Sequence, residues 1–319
     1  MKSHAFCLTL LASLAVSIAA ALPVQAQRAR VFVSVTGNDA NPCTALSPCK
    51  TFQAAHDAVL AGGEISVLDT GGYGTLIISK SISIVAVGVQ ASIAIPSGGT
   101  GIAVNANFGD IVSLRGLTLD GQGVGTSGVV FNTAQSLTIE DCVVRNTITN
   151  GLEFISNATT TQTLAVSNSY FTDNNVGIQI RTKNVGTVAA AIDRTGMYGN
   201  SGDGLFVNGF NGTGGLYVAV TDSVAANNGF AGGGAGFEVS TTTGHSVSNL
   251  SVTHCLIEGN IIGVASFGPT STVWLAQSTL TGDAAGFQTN AGGVINSFGD
   301  NYITANGPST GSLTSVGKQ

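Results

Sequence analysis

LTIEDCVVRN, at residues 137–146, is the stretch that decides the fold, because its pattern returns along the rest of the chain. The clear copies are LAVSNSYFTDN (164–174), AAIDRTGMYGN (190–200), VAVTDSVAANN (218–228), LSVTHCLIEGN (250–260) and VWLAQSTLTGD (273–283), and VINSFGDNYITAN (294–306) is a degenerate last one. Their final residues are separated by 28, 26, 28, 32, 23 and 23 positions. A repeat of this length is typical of a solenoid, in which each unit packs only on its neighbours.

Each repeat is predicted to contain three short strands. A first strand such as Leu137-Thr-Ile139 alternates apolar and polar residues, a polar corner leads to a second strand, and a glycine such as Gly151 opens a third. The alternation places apolar side chains inside the coil and polar ones outside. The connections are too short for crossover helices, so each strand is expected to pair with its equivalent in the next repeat, ~4.8 Å away.

An asparagine ends the second strand of most repeats and is predicted to have a structural role. Asparagine tolerates the left-handed backbone of a tight corner, and its amide can bond to the same amide one rung away. We therefore expect a ladder of stacked amides, with no catalytic role for its members. The positions are Asn146, Asn174, Asn200, Asn228 and Asn260.

These repeated units, L-x-V-x-(D/N)-(S/C)-x-x-x-x-N…G-(I/L/F)-x-(I/V/F), resemble those of the right-handed parallel β-helix family, the pectate-lyase-like superfold. The resemblance covers residues 117–306, and further short strands precede it from Glu64 to Leu114. It implies an all-β fold, a right-handed parallel β-helix solenoid, and the strands suffice for about ten rungs. It implies little about activity, because this fold carries many functions.

The sequence divides into a predicted signal peptide and one domain. Residues 1–26 have the pattern of a secretory signal peptide, with Lys2, an apolar run from Leu8 to Ala21, and cleavage expected after Ala26. Residues 27–319 are expected to form a single parallel β-helix domain without a membrane span, and to act as a monomer. The signal peptide predicts a secreted or periplasmic protein.

Residues 27–63 are predicted to close the N-terminal end of the solenoid. Cys43 and Cys49 flank a proline-punctuated loop, and in an exported protein this spacing predicts a disulfide. Phe52, Ala55 and Val59 follow a helical spacing, so a short amphipathic capping helix is expected to end at the Gly62-Gly63 pair. Such a cap protects the open strand edges of a solenoid.

Two other cysteines are expected to be buried free thiols. Cys142 and Cys255 occupy the same slot of repeats that lie four rungs apart. Four rungs span ~19 Å, whereas a disulfide needs α-carbons within ~7 Å.

Composition excludes several classes of function. The formal net charge is −6, with 9% charged residues, which disfavours binding to nucleic acid. The Gly-x-Gly-x-x-Gly match at residues 123–128 precedes a predicted strand rather than a helix, so no dinucleotide cofactor is expected. No clustered ligand pattern predicts a metal site.

The resemblance implies that residues able to cleave polysaccharides could be present. The motifs of such enzymes do not match this sequence, so the catalytic residues remain unknown. Arg181-Thr-Lys183 precedes Gly244-His245-Ser, which is the reverse of the order in polygalacturonase-like members, and the expected aspartates are missing. Glu153 and Glu238 are predicted to lie three rungs, ~14 Å, apart, whereas glycosidase carboxylates are separated by roughly 5–9.5 Å. A corner column with Arg194, Asp222 and His254 reads as a surface ion ladder, with an acid–base cluster as the alternative.

The outward side of the third strands is the best candidate for binding. Hydrogen-bonding and aromatic side chains alternate there in a pattern suited to a sugar polymer, although a plain solvated sheet is the alternative. The candidate residues are Glu153, Gln179, Arg181, Phe206, Asn208, Glu238 and Phe267.

Two function hypotheses follow. The leading one is an exported, non-catalytic protein that binds a polysaccharide or acts as an interaction protein at the cell surface. The alternative is a polysaccharide lyase or glycoside hydrolase that acts on a polyuronide or a similar glycan.

Overall fold

The computed structural model describes residues 28–317, which form a parallel β-solenoid of about nine turns. The predicted signal peptide lies outside these described residues. The range contains 31 strands and a single helix, α1 (Phe52–Ala58). Because α1 has only seven residues, no helix within residues 28–317 could cross a membrane.

The strands form three sheets, and successive strands within each sheet pair in parallel. The first sheet has 12 strands: β1 (Arg28–Val33), β2 (Val59–Val67), β5 (Ile82–Val85), β8 (Ile111–Arg115), β11 (Ser136–Glu140), β14 (Gln162–Ser167), β17 (Val188–Asp193), β20 (Leu216–Thr221), β23 (Ser248–Thr253), β26 (Ser271–Ala276), β29 (Val294–Ser297) and β31 (Leu313–Ser315).

The second sheet consists of the short strands after the first corner of each turn. Its ten strands are β3 (Gly71–Gly72), β6 (Ala91–Ala94), β9 (Leu117–Asp120), β12 (Val143–Arg145), β15 (Tyr170–Thr172), β18 (Gly196–Tyr198), β21 (Val224–Ala226), β24 (Leu256–Glu258), β27 (Thr279–Thr281) and β30 (Tyr302–Thr304).

The third sheet follows the second corner of each turn. Its nine strands are β4 (Leu76–Ile78), β7 (Thr100–Asn105), β10 (Ser127–Thr133), β13 (Asn150–Ser156), β16 (Val176–Thr182), β19 (Leu205–Gly209), β22 (Ala235–Thr241), β25 (Ile262–Phe267) and β28 (Ala285–Asn290). The prediction of an all-β solenoid with three strands per turn is confirmed.

Like side chains stack on one another along the axis, and this stacking builds the core. Leu137 pairs with Leu164, and Ile139 pairs with Val166, and all four are buried. In the third sheet the rings of two buried phenylalanines, Phe131 and Phe154, stack with centroids 4.1 Å apart. Alternating apolar residues therefore fill a narrow, continuous interior, and this burial is the main source of stability.

Buried amides form a continuous chain at the second corner. Asn200, for example, donates from its main-chain N and from Nδ2 to Oδ1 of Asn228, at 3.1 and 2.9 Å. Nδ2 of Asn228 also donates to the carbonyl oxygen of Met197, at 3.0 Å. The same arrangement links Asn174, Asn200, Asn228 and Asn260 and reaches Asp283. We call this series the amide ladder.

The glycine that opens each third strand makes room for the amide ladder. A Cβ atom on Gly151 would lie 2.9 Å from Nδ2 of Asn174 and 2.7 Å from the carbonyl oxygen of Gly177. A larger residue would therefore collide with both the ladder and the neighbouring main chain.

The left-handed backbone lies one residue before each ladder position, which corrects the expectation that the ladder asparagines adopt it. The angle φ is +57° at Asp173, +57° at Asn227 and +65° at Gly259. The prediction that Asn146 belongs to the ladder is also wrong. Asn146 has a φ of +56° and belongs to the left-handed column, so its Nδ2 reaches Oδ1 of Asp120, at 3.0 Å.

Thr147 takes the ladder position in that turn. Its main-chain N and Oγ1 donate to Oδ1 of Asn174, at 3.1 and 2.8 Å. The ladder thus begins with a hydroxyl group, because the ladder position in this turn falls one residue later than the asparagine pattern suggests.

The N-terminal segment closes the first turn as predicted, but its helix is shorter than expected. Oγ1 of Thr51 caps α1 by accepting from the main-chain N of Ala54, at 3.2 Å. The helix ends at Ala58 rather than at the glycine pair, because Val59 is already extended and pairs with Arg28 in the first sheet. Phe52 packs on Tyr73 with ring centroids 5.1 Å apart.

The predicted disulfide between Cys43 and Cys49 is present, with α-carbons 4.6 Å apart. Cys142 and Cys255 are buried and have free thiols, as their positions four rungs apart require.

The longest step of the repeat, between Asn228 and Asn260, is accommodated by a loop at residues 229–234, which we call the glycine loop. Its main chain is tied to the previous turn, because Gly229 N donates to Asn200 O at 3.0 Å and Ala231 N donates to Ser201 O at 3.1 Å. β22 then resumes the register, with Phe237 opposite Leu205.

Candidate functional site

The outward surface of the third sheet from β13 to β28, here called the third face, carries two columns of side chains. Each column takes one residue from each successive strand. The first column is Glu153, Gln179, Phe206, Glu238, Ala265 and Gln288, and the second is Ile155, Arg181, Asn208, Ser240, Phe267 and Asn290. The structure therefore brings all seven candidate binding residues onto one surface.

The third face contains one tight ion pair. Nη2 and Nε of Arg181 both donate to Oε1 of Glu153, at 2.6 and 3.0 Å. The two side chains are only 20% and 16% exposed. A partly buried pair of this kind is strongly oriented, so Arg181 is held rather than free to sweep over the surface.

The structure brings together a second pair of ionisable groups, Asp203 and Glu238. The repeat pattern did not predict that these two residues are neighbours. Asp203 lies two residues before β19 and is 8% exposed, and its carboxyl group hydrogen-bonds to that of Glu238. Oδ1 of Asp203 also accepts from the main-chain N of Ala235, at 2.6 Å. Oε1 of Glu238 accepts from the hydroxyl group of Ser240, at 2.6 Å. We call Asp203 and Glu238 the carboxyl pair.

The carboxyl pair retains a proton at neutral pH. Burial raises the pKa of Asp203 to about 8, and the charge of Glu238 adds to this rise. Burial also raises the pKa of Glu238, while hydrogen bonds from Ser240 and Asp203 oppose the rise. Two carboxyl groups in contact cannot both ionise at low cost, so the pair binds a proton more tightly than an isolated carboxyl group does.

A weak signal for Asp203 exists in the sequence. The residue before the repeat glycine is Val176, Ala235 or Ile262 in three other turns, and Asp203 is the acidic exception before Gly204. A carboxylate in this slot, close to a column that contains Glu238, indicates a paired acid. The alternation within strands defines only the columns of strand residues. Asp203 lies in a connection between strands, so these columns do not include it.

The corner column does not form an acid–base cluster. Arg194 is held by two neighbours, because Nη1 lies 2.5 Å from Oδ2 of Asp193 and Nε donates to Oδ1 of Asn168 at 2.9 Å. His254 Nδ1 and Asp222 Oδ1 are 3.8 Å apart, and both side chains are more than half exposed. These are solvated surface contacts of little energetic value.

Within residues 28–317, no group of three histidine, cysteine, aspartate or glutamate side chains is placed to hold a metal ion. The side chains of the third face themselves offer several kinds of chemistry. These are hydrogen bonding, stacking on aromatic rings, and proton exchange at the carboxyl pair.

The sequence profile of the family described as "Right handed beta helix region" matches residues 100–280, which is more than half of the chain. The chain belongs to the right-handed β-helix family. No curated protein sequence matches this β-helix significantly.

Solved structures of the same fold resemble this β-helix at low sequence identity. Pectate lyase Pel9A is 19% identical, with a TM-score of 0.62 over 92% of this chain and 79% of that one. An alginate lyase from Paenibacillus sp. str. FPU-7 is 11% identical, with a TM-score of 0.60 over 90% of this chain and 99% of that one. The enzymatically active domain of tailspike protein 2 from bacteriophage CBA120 is 13% identical, with a TM-score of 0.59 over 92% of this chain and 47% of that one.

A groove of ≈ 500 Å³ lies elsewhere on the β-helix, on the outer surface of the first sheet. Two exposed aromatic residues, Tyr217 and Trp274, stand above a floor of small residues that includes Ala191 and Ala219. No ionisable group other than Tyr217 lines the groove, so it can bind an apolar surface but cannot supply a carboxyl group for catalysis. The repeat pattern of the sequence does not predict this groove.

Proposed function

We propose that this protein is an exported glycan-binding β-helix, and that a polysaccharide binds along the third face. The observation that carries the proposal is the register of the two columns, which places at least one hydrogen-bonding or aromatic side chain on every rung, with rungs ~4.8 Å apart. Phe206 and Phe267 offer rings to the apolar faces of sugars, and Gln179 and Asn208 offer amides to their hydroxyl groups.

The similar structures support a glycan as the ligand. Two of them are a pectate lyase and an alginate lyase, and they share the fold with this chain over most of its length. Their identity is too low to transfer residues, so the proposal is argued from the third face itself.

Binding is tested by screening the protein on a glycan array and then measuring affinity for the best polymer by affinity electrophoresis. The variant for the third face is Arg181→Gln combined with Glu153→Gln, because removing both charges together leaves no buried charge unpaired. We expect at least a tenfold loss of affinity, equivalent to about 1.4 kcal/mol. The variant Trp274→Ala is the matched control on the first sheet, and we expect it to bind normally.

The control also separates two sites. A loss of binding in Trp274→Ala and not in the double variant would move the site to the groove of the first sheet. Failure to bind any glycan on the array would refute the proposal.

Cleavage of the glycan is the second candidate function, and the carboxyl pair favours it. At neutral pH the protonated member can donate a proton, and the ionised member can accept one. The register places Glu153 three rungs from Glu238, ~14 Å away, so these two glutamates cannot act on one glycosidic bond. The carboxyl pair would therefore act as a single acid–base unit.

Cleavage is tested by incubating the protein with the bound polymer and following polymer size and new reducing ends. If the protein is an enzyme, Asp203→Asn lowers the rate at least about 100-fold, because the amide cannot exchange the proton at Asp203. Binding of the polymer by Asp203→Asn serves as the control for folding. An unchanged polymer after prolonged incubation supports the non-catalytic function.

A further inference from the structure

We infer that the third face selects uncharged glycans and disfavours polyuronides, an inference that rests on the proposed binding function. It concerns the class of ligand and follows from the charges that the third face exposes. It separates this protein from a binder of carboxylated polymers, although the fold alone would suggest either ligand.

The first step is the state of Arg181, the cation within the strands of the third face from β13 to β28. Both of its bonded nitrogens point at one oxygen of Glu153, and the pair is mostly covered. A carboxylate on a ligand would compete with Glu153 for these two N–H groups, and displacing Glu153 would leave a half-buried glutamate unpaired. The positive charge of Arg181 is therefore already balanced by Glu153.

The second step is the charge of the carboxyl pair. Glu238 lies beside Phe206 in the first column, and Asp203 lies in the connection two residues before β19. Negative charge on these mostly buried carboxyl groups is screened by salt less than charge at an exposed surface. The third face and this connection thus bring three carboxyl groups, those of Glu153, Asp203 and Glu238, against the one cation of its strands, Arg181.

Charges outside the two columns do not attract a polyanion to the third face either. Lys183 follows β16 in the next loop, is exposed, and stands outside the strands that form the two columns. The chain as a whole has a formal charge of −6, so long-range attraction also does not favour a polyanion. Hydroxyl groups of an uncharged sugar can instead donate to the ionised carboxylate of the carboxyl pair.

The test compares two polymers of the same linkage, polygalacturonate and its carboxyl-reduced form, by affinity electrophoresis at low salt. A second matched pair is a β-glucan and the same glucan oxidised at C6. In each pair we expect the uncharged form to bind about tenfold more tightly, which is the size of one like-charge contact at a partly screened site. The ratio should fall as salt is raised.

Two variants remove negative charge from the third face at different places. Glu153→Gln releases the charge of Arg181, and Asp203→Asn with Glu238→Gln removes the charge of the carboxyl pair. Each should bring the ratio of affinities close to one by strengthening binding of the carboxylated form. Asp222→Asn is the matched control, because it removes the same charge at a corner between the first and second sheets, and its ratio should equal that of the unmodified protein.

Three results would overturn the inference. Equal or tighter binding of the carboxylated form at low salt contradicts it, while glycan binding itself stands. An equal change of the ratio in Asp222→Asn shows that overall charge acts rather than the third face. Binding of neither member of either pair, together with no binding on the array, overturns the proposed function and this inference with it.

Discussion

Asp283 accepts two hydrogen bonds from Asn260 through a single oxygen. Oδ1 of Asp283 lies 2.8 Å from the main-chain N of Asn260 and 2.9 Å from its Nδ2. Oδ2 is buried and has no hydrogen-bond partner among the described residues. In the asparagines of the amide ladder, the atom that corresponds to this Oδ2 is Nδ2, which donates to a carbonyl oxygen. Nδ2 of Asn260, for example, donates to Ala225 O. Asp283 therefore fits the ladder best as a neutral acid.

The first prediction is that Asp283→Asn stabilises the protein at neutral pH. Burial raises the pKa of Asp283, so its favourable protonated form is lost as pH rises from the ordinary value of 3.8. An asparagine would donate permanently to the carbonyl oxygen that faces this position. We expect a gain of about 1–3 kcal/mol in the free energy of unfolding at pH 7.

Urea denaturation of both proteins at pH 4 and pH 7 measures this difference. The gain should be smaller at pH 4, where more of the natural residue is protonated than at pH 7. A destabilised Asp283→Asn variant at pH 7 would contradict the assignment of a neutral acid.

The second prediction concerns the interior of the amide ladder. Asn228→Ala removes an acceptor for two donors of Asn200 and a donor to Met197 O and Asn260 Oδ1. Because these groups are buried, we expect a loss of at least about 3 kcal/mol in the free energy of unfolding. Chemical denaturation measures the loss.

Asn146→Gly is the matched control for the ladder. Glycine accepts the left-handed backbone of this position, so the cost is one hydrogen bond to Asp120, about 1 kcal/mol or less. Equal losses in the two variants would show that the ladder does not differ from an ordinary corner.

The third prediction is a dependence of stability on pH that originates in the carboxyl pair. Because the pKa of Asp203 is raised from 3.8 to about 8, the folded state holds more protons than the unfolded state between these values. Stability from this group is complete at low pH and is lost as pH rises through that window. Asp203→Asn keeps both hydrogen-bond partners and should be more stable than the natural protein by roughly 1–3 kcal/mol at pH 8.

Other carboxyl groups act in the opposite direction, so the difference between the two proteins is the informative quantity. Hydrogen bonds hold the pKa of Asp69, Asp110 and Asp120 below the ordinary value, against the effect of burial. Their stabilisation is present above the unfolded pKa and is lost as pH falls. A difference in unfolding free energy that does not change between pH 4 and pH 8 would rule out tighter proton binding by the carboxyl pair.

The fourth prediction is that the two free thiols are inert in the folded protein. Burial raises the pKa of Cys142 and of Cys255 to about 11, so almost no thiolate exists at pH 8. A disulfide-exchange reagent should label neither residue in the native state and both after unfolding in denaturant. Rapid labelling of either residue in the native state would show that its turn opens locally.

The fold could be predicted from the sequence because every repeat carries the same alternation of apolar and polar residues. Apolar residues such as Leu137 and Leu164 recur in register, and a residue that aligns with its equivalents must stack on them. The third face followed from the same argument, since period-2 alternation fixes which side chains point outward. The binding roles of its residues remain predictions.

The errors arose where one residue was gained or lost between repeats. The first copy, ending at Asn146, is one residue shorter than the next, so counting along it places Thr147 in the ladder position. Asp203 lies in a connection with an additional residue before the repeat glycine, outside every column that alternation defines. The groove beside Trp274 depends on how small residues of neighbouring turns combine, which one repeat cannot show.

The glycine loop shows how this architecture tolerates growth. A Cβ atom on Gly232 or Gly233 would meet nothing within 4 Å, while β22 beyond it keeps its register. Foreign peptides could therefore be grafted between these two glycines and displayed at the margin of the third face without disturbing the interior. By the same logic, natural variation in this turn offers evolution a place to reshape recognition while the scaffold stays constant.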